Sequence, residues 1–200
     1  MQVTLNYFTP LIVAIKAIRK CYDSCSDNLG EKDMKLLESI IKNDHTSTIE
    51  HINYTFEIDG ISRACLQELA RHRHTSLSVE STRYTLRNLI QEYKKDNFLY
   101  SDYLVLTGDN QMDQWSIDSL NRVISLLEKG YKNDQAKYLL PESYKTNLIL
   151  TINARSLRNF LKLRSSSKAL WEIRELANSI FNAIPDSHKI LFKDIIKGEE

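Results

Sequence analysis

Apolar positions along this chain fall into two rhythms. Gln2 to Phe8 alternates as a short strand does. Thr48 to Ile58 (TIEHINYTFEI) is rich in the β-branched and aromatic residues that suit a pleated, half-buried surface, and Lys145 to Ile152 reads as a further strand. Elsewhere the period is helical. Pro10 to Cys21 sets Leu11, Ala14, Ile15 and Ile18 in phase, and Glu31 to Lys42 does the same with Met34, Leu37, Ile40 and Ile41. Lys168 to Ala183 lines up Ile173, Leu176, Ala177, Ile180 and Ile184 before Pro185 ends it. Ile117 to Tyr138 carries Leu120, Ile124, Leu127 and Tyr131 at helical spacing, interrupted at Gly130 and stopped by Pro141. Tyr103 to Leu106 predicts a short strand, while Arg83 to Gln91 fits extended chain or a short helix. No regular βαβ rhythm and no GxGxxG turn occurs. The predicted fold class is α+β, a mixed or antiparallel sheet with several packed helices, and not a Rossmann fold.

Two of the helical stretches end on arginine. After Gly60, which should break the preceding strand, Ile61 to Ala70 holds no Gly or Pro. A helix continued through Arg73 places Leu66, Leu69, Ala70 and Arg73 on one stripe, so Arg73 closes the apolar face. Glu68, Arg71 and His72 take the other side, where Glu68 can pair within the helix. Asn153 to Arg164 (NARSLRNFLKLR) repeats the oddity: Leu157, Phe160 and Leu161 form its apolar stripe and Arg164 sits on it, opposite Arg155, Asn159 and Lys162. A guanidinium kept from water needs a partner or a bound anion, because an unpaired buried charge is too costly. Two of them in phase with core residues point to a common anionic or planar polar ligand.

Composition narrows the setting. With 200 residues, 42% hydrophobic and 26% charged, the chain suits one domain over residues 1–200. A formal net charge of +1 gives no global field to draw in nucleic acid or an anionic membrane, so anion binding must come from local clusters. Three cysteines, Cys21, Cys25 and Cys65, make an odd count that fits reduced thiols and a cytoplasmic location. Cys21 and Cys25 share a helix face at i, i+4, yet no further ligands accompany them, and His72 and His74 diverge if helical; no metal site is expected. No stretch approaches the ~20 apolar residues of a membrane span, and Val3 to Ile18 carries no cleavable signal pattern.

The richest chemistry lies in RHRHTSLSVESTR, from Arg71 to Arg83. Arginine presents a planar fork of donors that matches phosphate oxygens, and serine adds neutral hydrogen bonds to the same ligands. This arrangement, followed by NARSLRNFLKLR and WEIRELA, closely resembles the flavin-dependent thymidylate synthase family over about His51 to Ala177. The resemblance implies conversion of dUMP to dTMP, with the carbon unit from methylenetetrahydrofolate, hydride from reduced FAD and NADPH as the reductant. It implies that Arg71, His72 and Arg73 contact FAD, with Arg71 also reaching the nucleotide, and that Asn153, Arg155, Asn159 and His51 belong to the flavin site. Glu68, Ser81, Arg83 and Lys137 match positions that hold dUMP. Arg164 matches the catalytic arginine beside the pyrimidine ring, where a cation stabilises charge spread over N3 and its neighbouring carbonyls. A homotetramer with active sites shared between subunits is implied as well.

Three positions depart from the pattern. Lys137 stands where arginine is usual, keeping the charge but losing the fork; Val79 and Leu170 replace residues that are commonly polar. A nucleophilic Ser81 would need an adjacent base, which no spacing supplies, so a positioning hydrogen bond is the better reading. Cys65 reads as a packed thiol. Two other readings remain open on the residues alone. One is a nucleic-acid-binding module using RHRH with Tyr84, Arg87 and Tyr93 as phosphate contacts and stacking surfaces. The other is an oligomerising protein whose arginines make inter-subunit salt bridges.

Overall fold

The computed structural model describes residues 1–24 and 29–195. Cys25 lies outside the described residues. Four strands, β1 (Gln2–Phe8), β2 (Asn53–Ser62), β3 (Thr75–Val79) and β4 (Lys145–Asn153), form one antiparallel sheet in the order β1-β2-β4-β3. Its register can be read from side chains: Asn6 donates to Glu57 and Thr55 meets Thr151 at 3.0 Å. The alternation is clearest in β4, where Thr146, Leu148, Leu150 and Ile152 are buried and their neighbours are not. The helices are α1 (Ile12–Lys20), α2 (Glu31–Lys42), α3 (Arg63–Ala70), α4 (Thr82–Tyr93), α5 (Tyr100–Tyr103), α6 (Asn110–Glu128), α7 (Asn133–Ala136), α8 (Ala154–Arg164) and α9 (Trp171–Ala183). The α+β reading holds, and the sheet has no doubly wound topology.

The chain divides into two compact units, Met1–Ile58 with Glu68–Leu77 and Ile149–Glu200, and Asp59–Gln67 with Ser78–Leu148. In the first, the buried faces of α1 (Ala14, Ile15, Ile18), α8 (Leu157, Phe160, Leu161) and α9 (Ile173, Leu176, Ala177, Ile180) are those the periodicity picks out. Asp33 is buried there too, held by the Arg19 guanidinium at 2.5 Å. In the second, Leu86 and Leu89 of α4 and Leu120, Val123, Ile124 and Leu127 of α6 make a separate core with Leu104, Ala136 and Tyr144.

Several local expectations fail for identifiable reasons. Thr46–His51 is a 3-10 helix, and the strand runs instead from Asn53 to Ser62. Gly60 does not break it: at φ +75° its N–H donates to the Asn147 side chain, a kink only glycine makes without strain. Tyr100–Tyr103 is a helical turn, and of the predicted Tyr103 to Leu106 strand only Leu104 makes a bridge, to Tyr144. The long helix starts earlier than its apolar pattern, because Asp109 caps it by accepting from the Gln111 and Met112 N–H groups, and it ends at Glu128. Tyr131 is consequently exposed. Residues 82–93 are helical, settling the undecided stretch, and Thr75–Val79 is an unexpected short strand.

The largest correction concerns α3. It stops at Ala70, so Arg73 is not in helical phase with Leu66 and Leu69, and its side chain is exposed. Arg71 to His74 is a turn, which His74 completes at φ +59° before β3 begins. The inward residue of this turn is His72, 8% exposed.

Candidate functional site

Helix α8 begins where β4 ends. The Ala154 N–H donates to the Ile52 carbonyl at 2.7 Å, and the Asn153 side chain caps the helix by accepting from the Ser156 N–H at 2.9 Å. With the start fixed, Leu157, Phe160 and Leu161 face the core while Arg155, Asn159 and Leu163, four apart, face the other way. That outer face lines a cleft of about 900 Å³ together with the Arg71–His74 turn. Arg71, Arg73, Arg155, Arg164 and Lys168 meet there with Glu50, the one acidic residue in its wall among the described residues. On a chain of net charge +1 this is a local concentration of cations, suited to an anionic ligand.

Arg164 is the most constrained of them, with its side chain 16% exposed. Its Nη1 donates to Glu68 Oε2 at 2.6 Å, its Nη2 to the Glu68 carbonyl at 3.2 Å, and its Nε to His72 Nε2 at 2.8 Å. The half-buried guanidinium thus has its charge partner, an acidic residue on α3. The second Glu68 oxygen lies 3.7 Å from Arg71, whose side chain stays open to solvent. The His72 ring packs edge-on against Phe160, centroids 5.0 Å apart. Burial first, and then the Arg164 and Arg71 charges, hold the His72 pKa below the usual histidine value, while Glu68 pulls the other way.

Asn153, Arg155, Asn159, Arg71, His72, Arg73 and Arg164 are thus brought to one cleft. His51 is not part of its wall: exposed at the end of its 3-10 helix, it yields that place to Glu50, which pairs with Arg155 at 2.6 Å. Ser81, Arg83 and Lys137, expected to hold dUMP, belong to the second unit. There Ser81 is the N-cap residue of α4 and Arg83 is exposed in its first turn, with its guanidinium 5.6 Å from the Tyr84 ring centre. Helix α7 packs against α4, with Asn133 donating to the Arg83 carbonyl, and Lys137 follows directly after α7. Arg83 and Lys137 thus lie on or next to helices that pack together within this unit. Among the described residues, no three His, Cys, Asp or Glu side chains stand together as metal ligands.

Comparison with known proteins decides between the readings. The family model described as "Thymidylate synthase complementing protein" matches residues 4–188. The flavin-dependent thymidylate synthase of Campylobacter jejuni is 55% identical over 199 residues, covering 96% of each chain. That of Wolinella succinogenes is 52% identical over 198 residues, covering 96% of this chain and 97% of its own. The chain belongs to the flavin-dependent thymidylate synthase family. The fold agrees: a crystal structure of Helicobacter pylori ThyX, a flavin-dependent thymidylate synthase complexed with FAD and dUMP, superposes with a TM-score of 0.90 at 45% identity, covering 98% of this chain and 100% of that one. A second ThyX structure from the same organism, also with FAD and dUMP, gives 0.92 at 45% identity, covering 99% and 100%.

In this flavin-dependent thymidylate synthase, parts of the cleft carry no signal of their own in the sequence. Glu50, Ser166 and Lys168 line it unannounced. Glu50 is adjacent to His51, and Ser166 and Lys168 lie in the polar segment after Arg164, so sequence signals them only through their position beside expected site residues. His74, which carries no site expectation of its own, lines the cleft in a left-handed backbone conformation.

Proposed function

We propose that this enzyme methylates dUMP reductively to dTMP, taking the carbon unit from methylenetetrahydrofolate. FAD, reduced by NADPH, supplies the hydride when bound. The cleft's donor set fits such a cofactor, since arginine forks and side-chain amides suit its diphosphate and the polar edge of its ring system. Arg71, His72, Arg73, Asn153, Arg155 and Asn159 are assigned to holding it, with His51 near by. Glu68, Arg71, Ser81, Arg83 and Lys137 are assigned to dUMP, the last three at its phosphate. Arg164 is assigned to the pyrimidine, where its charge favours the electron-rich ring of the reacting nucleotide over the neutral one. Much of the protein's contribution is placement of stacked rings within reaction range. The enzyme is proposed to act as a homotetramer in the cytoplasm with active sites shared between subunits, so the phosphate-holding residues of one subunit need not serve that subunit's own cleft.

The observation that carries this reading is Arg164, oriented by Glu68 and His72 in a cationic cleft, on a chain of this family. The test is an anaerobic assay with dUMP, methylenetetrahydrofolate, FAD and NADPH, omitting each in turn. dTMP should form only with all four present. Formation that persists in flavin-free protein without added FAD would overturn the mechanism.

A further inference from the structure

His72 is buried inside a motif that otherwise faces a ligand cleft, and its contact is with another side chain of that cleft. An arginine Nε carries its proton at any working pH, so across the 2.8 Å contact Arg164 donates and His72 Nε2 accepts. The imidazole must then be neutral, with its proton on Nδ1. With Nε on His72, Nη1 on the Glu68 carboxylate and Nη2 on the Glu68 carbonyl, the guanidinium plane is fixed on three of its nitrogens. One N–H on each terminal nitrogen remains for a ligand. Glu68 alone leaves the plane free to tilt about its own axis; the His72 contact removes that freedom.

We infer that His72 is a positioning residue for Arg164: as a neutral acceptor it fixes the guanidinium plane, and its protonation at acid pH releases Arg164 from that orientation. This role rests on the proposed reaction and differs from the flavin contact that the resemblance implies. The charged groups facing the ring are Glu68 on α3, Arg71 in the turn and Arg164 on α8, two cations against one carboxylate, with the neutral Phe160 ring at its edge. The balance disfavours a third positive charge, on the ring itself, so His72 stays neutral through pH 7. The acid limb of kcat should therefore lie below the ordinary histidine range near ~6.5.

Two variants and one spectroscopic measurement test this. In His72→Gln the amide oxygen can accept from Arg164 Nε but cannot ionise. In His72→Leu the acceptor is gone. The Leu variant should lose about thirtyfold in kcat per bound flavin, with a smaller change in KM for dUMP, as removal of a charge-assisted hydrogen bond predicts. The Gln variant should recover most of that loss and show no acid limb attributable to this residue. Equal impairment of both variants with the limb unchanged would overturn the role, and so would loss of FAD from the Leu variant with kcat per flavin unaltered. The parent protein, labelled with 15N in its five histidines, gives a readout independent of turnover and of variant folding. A neutral Nδ1–H tautomer at His72, assigned by its absence in the Gln variant, supports the inference; an Nε2–H or doubly protonated ring overturns it. Failure of the parent to make dTMP, with that tautomer present, would instead count against the proposed reaction.

Discussion

At His74 the backbone sits at φ +59°, in the left-handed region where a side chain other than glycine is usually strained. The residue lies between the buried His72 and the first residue of β3, and Thr75 Oγ1 ties back to the His72 carbonyl at 3.0 Å. Chain direction here is therefore set by one unfavourable dihedral, held by His72 on one side and the sheet on the other. A β-branched residue suffers most in this conformation. His74→Val should lower unfolding free energy by about 1–2 kcal/mol relative to His74→Asn or His74→Gly, read from urea midpoints at constant m-value. Equal midpoints for Val and Gly would show that the turn relaxes away from this conformation. The same residues also show what the RHR motif does not reveal. RHR was visible as chemistry, but arginine and histidine carry no helix-stop signal, so the end of α3 at Ala70 was not, and burial was assigned to Arg73 when it belongs to His72.

Helix α8 was the most legible element, because three independent signals agree on it. Its apolar stripe has a 3.6 period, β4 before it has a period of 2, and Asn153 between them is a capping residue. That agreement is also why the sequence alone places Arg155 and Asn159 on the solvent side and Arg164 on the apolar stripe, where its side chain is 16% exposed. Short elements fared worse. β3 alternates Ser with Leu and Val over five residues, too little to separate from a loop, and α5 and α7 have four residues each. Asn153 has two assigned tasks, cap and flavin ligand, and substitution separates them. Asn153→Ala should cost about 1 kcal/mol of stability through loss of the bond to the Ser156 N–H. Asn153→Asp keeps an acceptor at the helix start and should hold the melting temperature near the parent's, yet it adds a negative charge to the cleft. Weaker FAD binding in the Asp variant at undiminished stability would establish the ligand role; unaltered binding would leave Asn153 as a cap alone.

Across the whole molecule, what sequence could not show is which distant residues pair. Arg19 with Asp33, Arg164 with Glu68 and Tyr54 with His188 are each set by packing, and no period in the chain announces them. The last of these makes a stability prediction. The Tyr54 hydroxyl on β2 lies 2.9 Å from His188 Nδ1 in the closing 3-10 helix, Asp186–Leu191, and both side chains are almost wholly buried. Phe8 packs edge-on against the same imidazole at 5.0 Å, so the ring is held between two strands and the C-terminal segment. Burial pushes the Tyr54 hydroxyl far up, so it is a protonated donor, and His188 accepts as a neutral ring. Burial also lowers the His188 pKa, as it does for His72. An imidazole whose folded pKa lies below its unfolded value contributes stability above the unfolded value near ~6.5, and that contribution is lost as pH falls toward the folded pKa. Unfolding free energy should thus decline from pH 7 toward pH 5, with each such imidazole adding at most about 1.4 kcal/mol per pH unit to the slope. His188→Gln, which cannot ionise, should flatten that slope even where it lowers stability at pH 7. Tyr54→Phe leaves Nδ1 buried without a donor and should cost about 1–3 kcal/mol at pH 7. Urea titrations at half-unit steps of pH measure both, and an identical slope in the parent and His188→Gln would remove His188 from the acid response.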